Sequence, residues 1–169
     1  MYNTYLALEQ KILNPREADM SDTFTVRGML AVKKRKELLS IPPDAAVIQA
    51  LDTMREAKVG ALLVMEGEKL VGIVTERDYA WKVELESKKA ATTKVAEIMT
   101  PVEKVISVNT FTSLEDCLNR MDENHIRHLP VIDEGVLLGM ISSRDVMGGI
   151  VRSQIFQAQH FMEPPGGRI

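Results

Sequence analysis

The chain has 169 residues, 45% of them apolar and 27% charged, which is typical of a soluble globular protein. Its formal net charge of −3 gives no overall attraction to nucleic acid, so nucleic acid is not an expected partner. The single cysteine, Cys117, excludes an intramolecular disulfide and suits a reducing compartment. The longest apolar block, residues 59–65, falls far short of the roughly 20 residues that span a bilayer. We therefore predict a cytoplasmic protein without a membrane segment.

The first 23 residues form an N-terminal extension, which shows neither the basic start nor the long apolar stretch of a secretory signal. Tyr5, Leu8 and Ile12 share one helical face, and this predicted helix ends before Pro15. Further on, the basic run at residues 33–36 could contact phosphate, although such runs are more often solvated connections.

The middle of the chain contains an internal repeat. Residues 38–78 align without a gap onto residues 105–145 at an offset of 67 residues, and ten of the 41 pairs are identical. Just upstream, residues 26–30 match residues 95–99 at an offset of 69. Such a duplication predicts two copies of one structural unit. Each copy is too small to bury a good core alone, so the two should pack against each other.

Each copy shows the same succession of hydrophobic patterns. A short apolar segment predicts a small strand, apolar residues at i, i+4 and i+7 predict a helix, and two apolar runs around a polar turn predict a hairpin. A second helix follows near Thr75 or Ser142, and Asp44 is a candidate cap of the first helix. The predicted strands of the first copy and then the second are Leu38–Ile41, Ala61–Met65 and Leu70–Val74, and Val105–Val108, Leu129–Ile132 and Leu137–Ile141.

The apolar helical faces leave two uses open. They could line the core of each copy, or they could form a contact between two chains. The faces consist of Val47, Leu51 and Met54 in the first copy and Leu114, Leu118 and Met121 in the second.

These patterns predict a fold of the α/β (α+β) class, in which two β-α-β-β-α repeats pack with pseudo-two-fold symmetry into one module. Between the repeats lies a linker rich in Lys, Ala, Ser and Thr, and the tail continues the last helix or forms another. The predicted division is an N-terminal extension at residues 1–23, a first repeat at 24–83, the linker at 84–94, a second repeat at 95–152 and a C-terminal tail at 153–169.

The strongest local pattern is the turn from the hairpin into the following helix, Gly72–Asp78 in one copy and Gly139–Asp145 in the other. Each turn carries Thr/Ser-x-x-Asp, the pattern of a helix capping box. The same geometry offers free N–H groups to a phosphate and a carboxylate to both hydroxyls of a ribose. The two roles are compatible, so both interpretations stay open.

With this doubled motif, residues 24–152 resemble a tandem cystathionine-β-synthase (CBS) domain pair. Further marks are the Ile126–Val131 segment and the Met-Thr-Pro junction at residues 99–101. Among such proteins, the chain is most similar to small stand-alone bacterial ones. The resemblance implies a regulatory or signal-transduction module that binds an adenosine-containing ligand in clefts between the repeats. AMP, and with it energy sensing, is the first expectation; ADP, ATP, NAD and S-adenosylmethionine are the alternatives.

The resemblance also implies which residues hold the ligand. It assigns the ribose to Thr75 and Asp78 in one cleft and to Ser142 and Asp145 in the other. Apolar side chains would sandwich the adenine, and basic side chains before the hairpin would meet the phosphate. The matching positions are Leu39, Val59, Ile106 and Ile126 for the adenine, and Arg127 and His128 for the phosphate.

The two copies differ where the resemblance places the phosphate. Gly60 and Ala61 replace the basic pair in the first copy. Arg77, Lys58 or the helix amides would have to act instead. We therefore expect the cleft of the second copy to bind a nucleotide phosphate more firmly. The cleft of the first copy is expected to be empty, weaker or suited to a different adenosine ligand.

No catalytic or metal-binding constellation is recognisable in the sequence. Two of the three histidines, His125 and His128, precede the same strand, and Cys117 aligns with Ala50 as a small core residue. Neither a nucleophile–base pair, nor a metal-ligand cluster, nor a phosphate-binding loop is evident. We therefore expect neither an enzyme nor a metal site.

The alternative function is a dimeric protein-interaction module without a physiological small ligand. CBS pairs commonly join a second copy into a flat four-repeat disc, so the resemblance implies a homodimer. It also implies an unknown regulated protein that acts as a partner in trans. Retention of both acidic positions, Asp78 and Asp145, favours ligand binding over this alternative, because interaction alone needs them only as helix caps.

Overall fold

The computed structural model describes residues 24–32 and 38–162. Among these, residues 38–106 form one compact unit, which we call the first unit. Residues 24–32 and 107–162 together form the second unit. The elements in chain order are α1 (Val26–Val32), β1 (Ser40–Ile41), α2 (Val47–Ala57), β2 (Ala61–Glu66), β3 (Lys69–Thr75), α3 (Glu76–Tyr79), a π-helix (Ala80–Glu84), α4 (Val95–Ile98), β4 (Thr100–Pro101), a 3₁₀ turn (Val102–Lys104), α5 (Leu114–Glu123), β5 (His128–Asp133), β6 (Val136–Ser142) and α6 (Ser143–Met162).

Some sequence predictions fall outside these residues. They are the N-terminal helix with Tyr5, Leu8 and Ile12, the basic run at residues 33–36, and the end of the tail after residue 162. The part of the tail that is described, residues 153–162, continues α6, as one of the two predictions had it.

The first unit is built on a four-stranded sheet in the order β1-β2-β3-β4. Strand β1 runs parallel to β2, while β2–β3 and β3–β4 are antiparallel. Strand β2 lies between two neighbours, and each of its residues from Ala61 to Val64 is at most 1% exposed. Such continuous burial requires cover on both faces, which explains why this strand is a run of apolar residues rather than an alternating pattern.

The second unit repeats the hairpin and the helices but not the first strand. Strands β5 and β6 pair antiparallel, as β2 and β3 do. The strand predicted at Val105–Val108 is wrong, because only Val108 makes a ladder contact, a parallel bridge to Val131. The Val105 amide donates instead to the Val102 carbonyl oxygen in the preceding 3₁₀ turn, at 3.1 Å. Beyond Val108, Thr110 donates from its backbone amide and its hydroxyl to the Asp133 carboxylate.

Each unit is completed by the helical segment that precedes the other repeat. The amide of Val26 in α1 donates to the Thr112 carbonyl of the second unit at 2.9 Å. The amide of Val95 in α4 donates to the Ala45 carbonyl of the first unit, also at 2.9 Å. The sequence repeats and the spatial units therefore differ by an exchange of these two segments.

The predicted linker at residues 84–94 packs on the start of α2. The amides of Val47 and Ile48 donate to the carbonyls of Thr93 and Ala90, at 2.9 and 3.0 Å. These contacts satisfy N–H groups that a helix leaves without an internal partner. The N-cap position is Ala46, so the prediction that Asp44 caps this helix is wrong. The linker carbonyls and the Gln49 side chain meet the free amides instead.

The apolar faces of α2 and α5 line the cores of their own units. Val47 and Met54 are 1% and 2% exposed, and Leu114 and Met121 are 1% and 4% exposed. Cys117 is fully buried beside them on α5. Of the two alternatives for these apolar faces, the structure shows the first, in which they line the core of each unit.

Candidate functional site

In the first unit, Thr75 and Asp78 form a closed polar loop at the start of α3. One carboxylate oxygen of Asp78, Oδ2, accepts from the Thr75 amide at 2.9 Å and from its hydroxyl at 2.6 Å. The Asp78 amide donates back to the Thr75 hydroxyl oxygen at 3.2 Å. The predicted capping box is therefore confirmed, and it fixes the carboxylate at the junction of strand and helix.

The second unit repeats this loop with Ser142 and Asp145. Oδ2 of Asp145 accepts from the Ser142 amide at 2.8 Å and from its hydroxyl at 2.7 Å, and the Asp145 amide donates back at 3.3 Å. Both residues are half-buried, so their polar atoms lie at the surface of the unit rather than in its core. The duplicated sequence thus produces duplicated geometry.

The strand pairing places the predicted phosphate residues beside the second loop. His128 lies opposite Ser142 in the hairpin, and the Ser143 amide donates to the Arg127 carbonyl at 3.0 Å. Arg127 is exposed and His128 is half-buried. The backbones of Arg127 and His128 therefore lie beside the loop of Ser142 and Asp145 at the start of α6.

The first unit has the same backbone but not the same chemistry. Ala61 lies opposite Thr75, and the Glu76 amide donates to the Gly60 carbonyl at 3.1 Å. Ala61 is fully buried and carries no polar group. The predicted difference between the copies is thus a difference in side chains on one shared backbone arrangement.

Lys82 adds a cation that the sequence analysis missed. Its ammonium nitrogen lies 2.6 Å from Oδ1 of Asp78 and 2.6 Å from the Ile98 carbonyl oxygen. The side chain of Asp78 is only 13% exposed, against 40% for Lys82. The i, i+4 spacing of Asp78 and Lys82 was the available signal, because such pairs are neighbours on a helix.

The candidate phosphate substitutes of the first unit have other surroundings. The Arg77 guanidinium lies over the Trp81 ring, 5.4 Å from its centroid, in cation–π geometry. Lys58 follows α2 with a φ of 55° and is exposed. It therefore ends the helix in the left-handed conformation that usually favours glycine.

The residues assigned to the adenine are distributed over both units. Leu39 and Val59 are partly buried against the core of the first unit. Ile126 is half-buried in the second unit, where its amide donates to the Met121 carbonyl at 2.9 Å. Ile106 is also half-buried, and it closes the first unit. Leu39 and Val59 thus lie in the same unit as Thr75, whereas Ile106 does not lie in the unit of Ser142.

The doubled geometry coincides with a doubled family match. The model of the CBS domain matches residues 31–83 and again residues 95–152, which together make up more than half of the chain. The chain belongs to the CBS domain family. It is a tandem CBS pair protein, with the mixed α and β fold predicted from the repeat.

Proteins similar to this chain occur in plants and in bacteria. The mitochondrial CBS domain-containing protein CBSX3 of Arabidopsis thaliana is 39% identical over 111 residues, which cover 64% of this chain. The match covers 54% of the plant protein, so the chain spans about half of its length. A solved protein with CBS domains from Burkholderia ambifaria MC40-6 has a TM-score of 0.73 and 39% identity, over 77% of this chain and 96% of that one.

A more distant structure shows the same fold with ligands. The CBS pair of protein MJ0100, solved with 5′-methylthioadenosine and S-adenosylmethionine, has a TM-score of 0.58 and 24% identity. The superposition covers 74% of this chain and 92% of that one. At this identity the likeness concerns the fold.

Other chemistry has less support in the described residues. Over residues 24–32 and 38–162, no three His, Cys, Asp or Glu side chains gather in a way that could hold a metal ion. In the same ranges, no helix is long and apolar enough to cross a membrane. Burial raises the pKa of the Cys117 thiol to about 11, and a protonated thiol is a poor nucleophile.

Proposed function

We propose that this CBS pair is a regulatory module, not an enzyme, and that it binds an adenosine-containing ligand at the loop of Ser142 and Asp145. The observation that carries the proposal is the fixed carboxylate at the start of α6, held by two hydrogen bonds from Ser142. Both of these bonds reach Oδ2, so the carboxylate is oriented before a ligand arrives. A preorganised acceptor binds a ribose diol without the entropic cost of ordering its own side chain.

The phosphate of the ligand would lie beside Arg127 and His128. Helix α6 has 20 residues, and the positive end of its dipole lies at this loop. Arg127 precedes β5 and His128 faces Ser142, so both can approach an anion at the helix start. These positive groups favour a nucleoside monophosphate such as AMP over an uncharged nucleoside. The alternatives are ADP, ATP, NAD and S-adenosylmethionine.

Regulation would follow from linkage. A ligand that binds one conformation of the pair better shifts the population toward that conformation, and a coupling of about 1–3 kcal/mol is typical. The fold accommodates such ligands in the pair of MJ0100, and the Burkholderia protein is a candidate for signal transduction. The regulated partner would be a separate protein that reads the shift in trans.

A thermal-shift panel with AMP, ADP, ATP, NAD and S-adenosylmethionine tests the proposal. A ligand at about 100 times its dissociation constant should stabilise the protein by roughly 2.7 kcal/mol. Asp145→Ala should lose most of that shift, whereas Asp116→Ala, on an exposed face of α5, should keep it. No shift with any of the five ligands would refute the proposal, and a full shift in Asp145→Ala would place the site elsewhere.

A second candidate, the dimeric interaction module, is favoured by an exposed apolar stripe on α6. Met147, Val151 and Ile155 recur at four-residue spacing and are 53%, 51% and 53% exposed. In the first unit, Trp81 and Leu85 have the same spacing and are 60% and 76% exposed. Contiguous exposed apolar side chains mark contact surfaces, so we propose a homodimer, which is compatible with ligand binding.

A further inference from the structure

Helix α1 packs on α6, the helix that begins at the proposed ligand loop. Gly149 lies one turn beyond Asp145, and residues four apart share one face of a helix. A Cβ atom at Gly149 would lie 3.4 Å from Cγ of Met29 in α1, so Met29 packs closely on α6 at this glycine. Met29 is 2% exposed. A displacement of α6 at Gly149 therefore also acts on α1.

A second attachment of α1 leads to strand β5. The Val26 amide donates to the Thr112 carbonyl at 2.9 Å, and the Arg27 amide donates to the Thr110 carbonyl at 2.8 Å. Thr110 in turn donates from its amide and its hydroxyl to the carboxylate of Asp133, the last residue of β5. Thr110 is 1% exposed, so water competes little for these bonds. A short chain of hydrogen bonds thus fixes α1 to β5.

The proposed ligand would bridge the same helix and strand. Its ribose would lie on Asp145 in the first turn of α6, and its phosphate beside Arg127 and His128 where β5 begins. A ligand that contacts both elements favours one distance between them. Gly149 is only roughly 9 Å along the helix axis from the start of α6, so a small shift at the loop reaches the contact with α1.

We propose that α1 carries the regulatory effect of the ligand site, because a ligand at Ser142 and Asp145 strengthens the docking of α1 on the second unit. This inference rests on the proposed function and adds the segment that the ligand regulates. Linkage between two sites is reciprocal. A change that releases α1 must therefore weaken ligand binding by the factor by which the ligand strengthens α1 docking, which is about 5–150-fold for typical couplings.

Helix α4 provides a matched control, because it docks on the first unit in the same way. Val95 of α4 aligns with Val26 of α1, and both valines are fully buried. The Val95 amide donates to the Ala45 carbonyl at 2.9 Å, and Ala45 aligns with Thr112, the acceptor for Val26. One substitution can thus be made at equivalent positions of two equivalent helices, of which α1 belongs to the unit with the proposed ligand site.

Isothermal titration of the full chain with AMP tests the inference on this pair of positions. Val26→Asp should weaken AMP binding about fivefold or more, because a carboxylate at this buried position should displace α1. Val95→Asp should stay within about twofold of wild type, as expected for independent sites. Circular dichroism establishes that each variant is folded. If either is not, Val26→Ala and Val95→Ala replace them, with the same order of affinities expected.

The outcomes separate the inference from the proposed function. Equal AMP affinity in wild type and Val26→Asp would overturn the role of α1 and leave the proposed function intact. Equal weakening in Val26→Asp and Val95→Asp would do the same, because it would reflect a general loss of stability. A wild type that does not bind AMP, or an Asp145→Ala variant that binds it as well as wild type does, would overturn the proposed function and the inference that rests on it.

Discussion

Replacement of Gly72 by alanine should destabilise the first unit, whereas the same change at the equivalent Gly139 should not. A Cβ atom at residue 72 would lie 2.5 Å from the Thr100 carbonyl oxygen and 2.9 Å from Sδ of Met99. The methionine can move, but the carbonyl belongs to β4, which pairs with β3 at Gly72 and Pro101. An ordinary contact of about 3.4 Å would require the strands to separate by roughly 0.9 Å. Overpacking of this kind costs about 1–3 kcal/mol.

Gly139 is the internal control for this prediction. A Cβ atom there meets nothing within 4 Å in the part of the chain that the structure describes. Alanine in such a position stabilises by about 0.4–1 kcal/mol, because it restricts the unfolded chain. The two variants should therefore differ by about 1.5–4 kcal/mol in urea denaturation. For a chain of this size, each kcal/mol corresponds to roughly 2–4 °C in Tm. Equal stability of the two variants would refute the reasoning from strand contact.

Three further predictions concern buried groups and the dimer. Cys117, with its pKa raised by burial, should react with a disulfide reagent at pH 8 only as fast as the protein unfolds. Because the folded protein keeps this thiol protonated, the stability that the protonated thiol contributes should be fully present below pH 9, where the unfolded thiol begins to ionise, and should be lost as the pH rises toward about 11. Rapid labelling of the native protein would contradict this. Thr110→Val removes the hydroxyl that donates to Asp133 and should lower the free energy of unfolding by about 1–3 kcal/mol, whereas the exposed Thr92→Val should change it little. Val151→Glu should convert the dimer to a monomer in light scattering after gel filtration, and a wild type that is already monomeric would remove the basis for the stripe as an interface.

The duplicated fold was predictable because its signals are local. The apolar runs around the polar turns at residues 67 and 134 specify the hairpins, and the Thr/Ser-x-x-Asp pattern specifies where the next helix begins. The strand register then determines which residues lie beside the loop, since a hairpin that places Ser142 opposite His128 also brings Arg127 to the same helix start. Sequence reasoning therefore found the backbone of both loops.

The remaining features depend on contacts between distant parts of the chain. In the sequence, α1 precedes the first repeat and α4 precedes the second, whereas in the structure α1 belongs to the second unit and α4 to the first. The repeat pattern alone does not predict this exchange. Asp44 has the right chemistry for a helix cap, yet linker carbonyls 40 or more residues away meet the amides of α2. The bond from Lys82 to the Ile98 carbonyl likewise links residues 16 apart in sequence. Local propensity is a weak guide wherever tertiary contacts supply the partner.

The loop of Ser142 and Asp145 as the ligand site is tested most directly by a crystal structure of the full chain with AMP. We predict that the ribose hydroxyls lie within hydrogen-bond distance of the Asp145 carboxylate and that the phosphate lies beside Arg127 and His128. AMP bound only at Asp78, or away from both loops, would contradict this prediction.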